Sequence, residues 1–274
     1  MVLPLIPTKK EPVVTWEKLP EDFILPDDPV ENIQQPPLAA ALTDALGTSD
    51  RVEPQMLIAS NFGIAATVNQ KMVVKAPDWL YVPRVLPIAE GVIRRSYTPS
   101  LEGDRVAIAM EFLSETDAGE YSVRAKYPYG KLYCYEQILQ IPTYVIFDPY
   151  EVDLEVRRLQ ENQYILQSAT VEGRYWIPEI NLFLGIWYGT RLGSTMHWLR
   201  WWDEGGNLLL WSSEKAELER LRAEQERQRA EQERQRAEQE KQRAQEAIAQ
   251  LETERRRSEA LAAKLRELGI EPNA

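Results

Sequence analysis

The chain has a single cysteine and a single histidine in 274 residues. With only Cys134, no intrachain disulfide can form, which suits a reducing compartment. The residue itself reads as a small buried hydrophobe. With only His197, every site built from several imidazoles is excluded, and with it the usual zinc centre. Set between Met196 and Trp198, this histidine reads as a structural strand residue. Basic charge is also short: 32 Lys and Arg face 43 Asp and Glu, a formal net charge of -11. From Glu214 onward there are 15 acidic and 14 basic residues, so the tail carries -1 and the body -10. An acidic body is a poor general binder of nucleic acid, so any such contact must be local and metal-assisted. No apolar run approaches the roughly 20 residues of a membrane span. The apolar residues 1–7 are too short for a signal peptide's core, and basic residues follow them instead of preceding them. These features predict a cytoplasmic protein with no membrane segment. There is no Gly-x-Ser-x-Gly elbow, no phosphate-loop motif and no histidine pair, so a metabolic hydrolase has no support.

What is present suffices for one domain with a sizeable core plus an appendage. Hydrophobic residues make up 44% of the chain, too many for a disordered protein. Five of the eight tryptophans lie between Trp187 and Trp211, which predicts a folded aromatic sheet there. Residues 1–28 are rich in proline and acid and read as an extended arm. A helix is expected over residues 37–46, with Pro37 in its first turn, Leu38, Leu42 and Leu46 four apart, and Gly47 ending it. Strands are expected at 55–59, 63–68, 71–74 and 79–82. Residues 106–113 form an almost continuous apolar run, the signature of a central strand buried on both faces. A helix over 130–139, stopped by Pro142, leads into a further buried strand at 143–147. Strand, helix, strand in that order predicts a crossover with parallel pairing. Hairpins are expected at 154–167, turning at 160–163, and at 198–211, turning at 204–207.

Beyond residue 213 the character changes. RAEQERQ at residues 222–228 recurs at 229 and, with one lysine for arginine, at 236, a period of seven. If Ala223 and its seven-residue successors are heptad a positions, d holds Glu226, Glu233 and Glu240 in succession, which opposes a strong coiled coil. Arg-to-Glu pairs four apart stabilise an isolated helix by a few tenths of a kcal/mol each. Residues 214–247 therefore read as a solvated single helix. The apolar seam over 248–268 could join a second copy.

Three residues suggest chemistry. Asp78 follows Pro77 and precedes a strand. Glu111 interrupts the apolar run Ala109-Met110-Glu111-Phe112-Leu113, where a carboxylate is costly unless it is paired, bound to a metal or turned to solvent. Lys131 opens the expected second helix, whose first-turn amides would favour an anionic phosphate. Two carboxylates and a lysine can hold a divalent metal and a scissile phosphate if they converge.

The order Pro-Asp, buried strand with glutamate, then lysine resembles the PD-(D/E)xK nuclease superfamily. Glu111-Phe112-Leu113-Ser114, the Gly119-Glu120 pair, the four-residue step from Lys131 to Tyr135, and the strand Thr143-Tyr144-Val145-Ile146-Phe147-Asp148-Pro149 resemble the Uma-two (Uma2) family of restriction-endonuclease-like proteins. The segment at 76–83 and the charged heptad tail are similar to its cyanobacterial members. The likeness covers residues from about 30 to 274. It implies an α/β (α+β) fold: a restriction-endonuclease-like mixed central sheet flanked by helices, followed by a long C-terminal helix. The implied division is an arm at 1–28, a nuclease-like domain at 29–213 and a charged helix or weak coiled coil at 214–274. It implies Mg²⁺ or Mn²⁺ held by Asp78 and Glu111, with Phe112 as a further ligand position. Lys131 would stand at the phosphate of a DNA substrate. Leu113 occupies the position where the superfamily lysine usually lies, and Tyr127 stands where the family commonly has aspartate. The site lysine is therefore Lys131 or, as fallback, Lys126. The expected activity is metal-dependent endonuclease. The alternative is an inactive nuclease-fold protein that acts as an interaction module, with a homodimer possible through the helical tail.

Overall fold

The computed structural model describes residues 12–20, 22–23, 33–114 and 119–269. The expected arm thus lies mostly outside the described residues. In chain order the elements are β1 (Val14–Thr15), α1 (Gln35–Thr48), β2 (Leu57–Ala59), β3 (Ile64–Val68), β4 (Lys71–Lys75), β5 (Trp79–Val82) and β6 (Ile108–Phe112). Then come α2 (Lys131–Tyr133), which continues as a π-helical turn at Cys134–Ile138, and β7 (Thr143–Asp148), β8 (Asp153–Gln160) and β9 (Gln163–Leu166). Last are β10 (Arg174–Ile177), β11 (Leu182–Arg191), β12 (Ser194–Trp202) and α3 (Ser212–Glu267).

The centre is a six-stranded mixed sheet of order β2-β5-β6-β7-β8-β9. Only β6 and β7 run parallel, as the strand-helix-strand order predicts. Period-two alternation sends Trp79, Tyr81, Ile108, Met110, Phe112, Val145 and Phe147 to one core. That core is closed by α1 and by the sheet β10-β11-β12. Leu80, Val82, Ala109, Tyr144 and Ile146 go to the other face, which is covered by the π turn and the sheet β1-β3-β4. The central strand is buried on both sides for this reason.

Helix α1 begins two residues before the expected start, with prolines in its first turn where no intrahelical N–H is needed. It runs through Gly47, and the chain reverses at Asp50, a residue with φ 55. The stripe Leu38, Ala41, Leu42, Ala45 and Leu46 is buried. Three indoles fasten it: Trp79 donates to Thr43 Oγ1 at 3.0 Å, Trp201 to the Leu42 carbonyl at 3.2 Å and Trp211 to the Ala41 carbonyl at 3.1 Å.

Two expectations are corrected. The helix over 130–139 is a single α turn followed by a π turn. The hairpin at 198–211 is confined to its turn end. On one edge β12 pairs along its length with β11, a strand the sequence reading missed; on the other it meets the returning segment through the Trp202–Leu208 bridge and a hydrogen bond from Leu209 N to the Trp201 carbonyl at 2.9 Å. The turn at 203–207 closes this short hairpin, with Asp203 N donating to the Asn207 carbonyl at 2.9 Å. His197 sits on β12 against the Tyr188 ring, as a strand residue. The expected aromatic sheet is this one, carrying Trp187 on β11 and Trp198, Trp201 and Trp202 on β12.

The chain divides into two units, Met1–Ser212 and Ser213–Ala274. In the second, α3 is one continuous helix with no buried residue, part of a 56-residue span roughly 80 Å long. Ion pairs one turn apart along it include Glu217 with Arg220 and Arg255 with Glu259. Among the described residues, no helix is long and apolar enough to cross a membrane.

Leu42 is fully buried between α1 and the tryptophans. Leu42→Ala is expected to destabilise the body by about 3 kcal/mol through lost burial and a residual cavity. Urea denaturation measures this, and a loss below about 1 kcal/mol would show that this helix face is not essential to the core.

Candidate active site

The register between β5 and β6 brings the two predicted acids together. Trp79 pairs with Met110 and Leu80 with Ala109. One step further along this antiparallel ladder, Asp78 falls opposite Glu111, and directly opposed residues share a face. That face is the one beneath the π turn. Asp78 Oδ2 accepts a hydrogen bond from the Phe112 amide at 2.6 Å, which ties the start of β5 to the end of β6.

Glu111 is 1% exposed. Tyr135 Oη donates to its Oε1 at 2.7 Å, and Lys131 Nζ approaches its Oε2 at 3.3 Å. The four-residue spacing of Lys131 and Tyr135 puts both on the side of the α2–π segment that faces β6. The π turn carries Tyr135, in keeping with the frequency of such turns at functional sites. Its ring lies edge-on to Tyr144 at 5.1 Å, and Tyr144 Oη donates to the Glu120 carbonyl at 3.1 Å.

Glu120 is the residue that sequence reasoning missed as a site member. It is buried, and its Oε1 takes Lys131 Nζ at 2.7 Å, closer than Glu111 does. The Gly119-Glu120 pair marks it in the sequence, but no periodicity places a loop carboxylate against a lysine eleven residues later. Gln35 was also missed. From the first turn of α1 its amide donates to the Phe112 carbonyl at 2.7 Å. Phe112, expected as a ligand position, thus has its carbonyl engaged by Gln35, while its ring lies in the opposite core. The structure puts Lys131 with Glu111 and Glu120; Lys126 stands on the exposed part of the loop. The first-turn amides expected to favour phosphate are partly engaged. The α turn is only three residues long, and Tyr133 N already donates to the Ser122 carbonyl at 3.2 Å.

Burial is the main force on Glu111 and, with repulsion from Asp78 and Glu120, pushes its pKa up to about 8, against the pull of Lys131 and Tyr135. Burial alone would lower Lys131, but Glu111, Glu120 and Asp78 together hold it above the ordinary lysine range. Lys131 therefore keeps its charge, and Glu111 is the member that exchanges a proton near neutral pH. The Tyr135 hydroxyl is driven well above its ordinary value by burial and by Glu111, so it stays a donor.

Among the described residues, no three acidic, histidine or cysteine side chains are arranged to hold a metal ion. The donor chemistry nevertheless fits a hard divalent cation. The candidate side-chain ligands, Asp78 and Glu111, are carboxylates, the class that binds Mg²⁺ and Mn²⁺. The Lys131 ammonium already stands among them as an internal cation, 23% exposed at its side chain, with Glu111 beneath it.

A family model matches residues 24–191, a span that holds Asp78, Glu111, Glu120 and Lys131; it is Uma2, described as "Putative restriction endonuclease". No curated protein matches the chain.

The Glu111 shift has a consequence for stability. Its folded value of about 8 exceeds the ordinary 4.5, so the native state binds the proton more tightly. Stability from this group is then present at low pH and is lost as pH rises from about 4.5 through 8. The raised Lys131 value acts only at more alkaline pH. Glu111→Gln keeps the shape and removes the titration. Its Tm relative to the parent is expected to climb between about pH 5 and pH 8. Parallel Tm curves would contradict the assigned proton.

Proposed function

Because the chain belongs to the Uma2 family, we propose that it is a divalent-metal-dependent endonuclease that hydrolyses DNA phosphodiester bonds. The observation that carries this reading is the buried carboxylate pair Asp78 and Glu111, opposed by strand register, with Lys131 at its solvent side. Asp78 and Glu111 would hold the ion, with the Phe112 carbonyl as a further oxygen donor beside them. When bound, Mg²⁺ or Mn²⁺ would polarise the phosphate and acidify a water. Tyr135 fixes the Glu111 carboxylate by donating to one oxygen and so leaves the other for exchange. Lys131 would offset the charge that develops on the phosphoryl oxygens, and Glu120 holds it in place for that task. We assign residues 29–213 to this nuclease-like domain and place the protein in the cytoplasm, where a lone thiol such as Cys134 stays reduced.

Purified protein with Mg²⁺ or Mn²⁺ is expected to nick supercoiled plasmid, with EDTA stopping the reaction. Glu111→Ala and Asp78→Asn should abolish nicking, and Lys131→Met should slow it. Full activity in Glu111→Ala would falsify the site. No cleavage by the parent would favour the interaction-module reading.

The charged tail is proposed to bring two copies together through the last third of its described residues, where Ile248, Leu251, Leu261 and Leu268 stand exposed. Truncation before Ile248 is expected to reduce the mass seen by light scattering. An unchanged mass would place any dimer contact in the body.

A further inference from the structure

The 15 residues at 121–135 contain no aspartate or glutamate, in a chain of net charge -11. They hold three cations, Arg124, Lys126 and Lys131, and five tyrosines. The tyrosines are arranged. Tyr127 meets Tyr129 edge-on with ring centroids 6.2 Å apart, and Tyr129 stacks on Tyr133 at 5.8 Å with planes 19° apart. Lys71, at the start of β4, sets its ammonium 5.1 Å from the Tyr127 ring centroid. Tyr127 is 53% exposed, Arg124 and Lys126 are exposed, and Tyr129 is buried behind them.

The loop that carries the ladder is closed at its base. Gly130 N donates to the Arg124 carbonyl at 3.0 Å. A Cβ at Gly130 would lie 2.2 Å from the Ser122 carbonyl oxygen, so only glycine permits this approach. A closed loop presents its side chains with little ordering left to do on binding. The next residue after Gly130 is Lys131, so the ladder ends at the candidate active site.

An exposed aromatic ring with Lys71 over it, Arg124 at the Tyr127 backbone carbonyl and the exposed Lys126 next to that residue in sequence matches an unpaired nucleotide. Base faces stack on aromatic rings, and phosphates take the cations. A duplex hides its base faces and cannot use the ring. We propose that this ladder is a docking platform for single-stranded DNA, which it feeds to the Lys131 end. The proposal rests on the nuclease reading for its substrate and names the form of DNA that the site takes. It also answers the charge problem: an acidic body can still bind one strand through a local cluster of cations beside an exposed ring.

The test reads binding in EDTA, where cleavage plays no part. Fluorescence anisotropy compares a labelled oligothymidylate of about 20 nucleotides with a labelled duplex of the same length. The parent is expected to prefer the single strand. Tyr127→Ala should weaken single-strand binding roughly tenfold and leave duplex binding unchanged, while Tyr127→Phe should retain it. Lys126→Ala should weaken both and lower the salt dependence by about one ion. Tyr127 is exposed, so its loss does not threaten the fold. Equal affinity for the two probes, or unchanged single-strand binding by Tyr127→Ala, overturns the platform even if plasmid nicking succeeds. Preferential, Tyr127-dependent binding upholds it even if nicking fails.

Discussion

A carboxyl group in the middle of a sheet is the constraint on which the site depends. Glu111 lies on the strand between β5 and β7, where an uncompensated ion would cost several kcal/mol. Everything around it answers that cost. Tyr135 donates to one oxygen, Lys131 approaches the other, and Glu120 holds Lys131 from the far side. The π turn puts Tyr135 within reach, and α1 caps the Phe112 carbonyl through Gln35. A fold selected for stability alone would be served by an apolar residue at 111, like its strand neighbours Met110 and Phe112. The acid at 111, met by Lys131 and Tyr135 from the α2–π segment, is what supports reading this place as a site.

Local chemistry made much of this legible from sequence. A charged residue inside an apolar run is conspicuous at any position, so Glu111 could be read directly. The Lys131 and Tyr135 spacing of four survives the change from α to π geometry because both side chains still meet β6. Asp78 was legible through its flanking segment, but its meeting with Glu111 depends on the β5–β6 register, which no local pattern encodes. Glu120 and Gln35 were hidden for the same reason. Each reaches the site from a segment whose own periodicity says nothing about a distant partner. The missed strand β11 has a related cause. The turn at 203–207 is legible because its residues are local, whereas β11 is held by nine paired positions on β12, a long-range register that its own segment does not encode.

Charge is distributed unevenly, and the unevenness is informative. The tail is nearly balanced in charge, and its helix α3 has no buried residue, so it adds charged surface without a strong field. The body carries the acid, yet residues 121–130 have none, and they lead into Lys131. Local charge near a site governs approach more than the total does, because screening limits exposed charges to about 10 Å at ordinary ionic strength.

If the chain acts as the proposed nuclease, the site's own charge count bears on the order in which its partners arrive. Asp78, Glu111 and Glu120 surround a single ammonium, Lys131, so acid outnumbers base there. Burial relieves part of that excess by driving a proton onto Glu111. A phosphate approaching that state would add negative charge to a pocket already in excess, so it is repelled. On that reading Glu111 would take either a proton or a cation, and only a divalent cation would cancel the full excess. Lys131 would then be able to turn from Glu111 toward a phosphate while Glu120 still anchors it, because its shorter bond is to Glu120. The proposed function therefore calls for the cation before the substrate, with Glu120 as the anchor of Lys131.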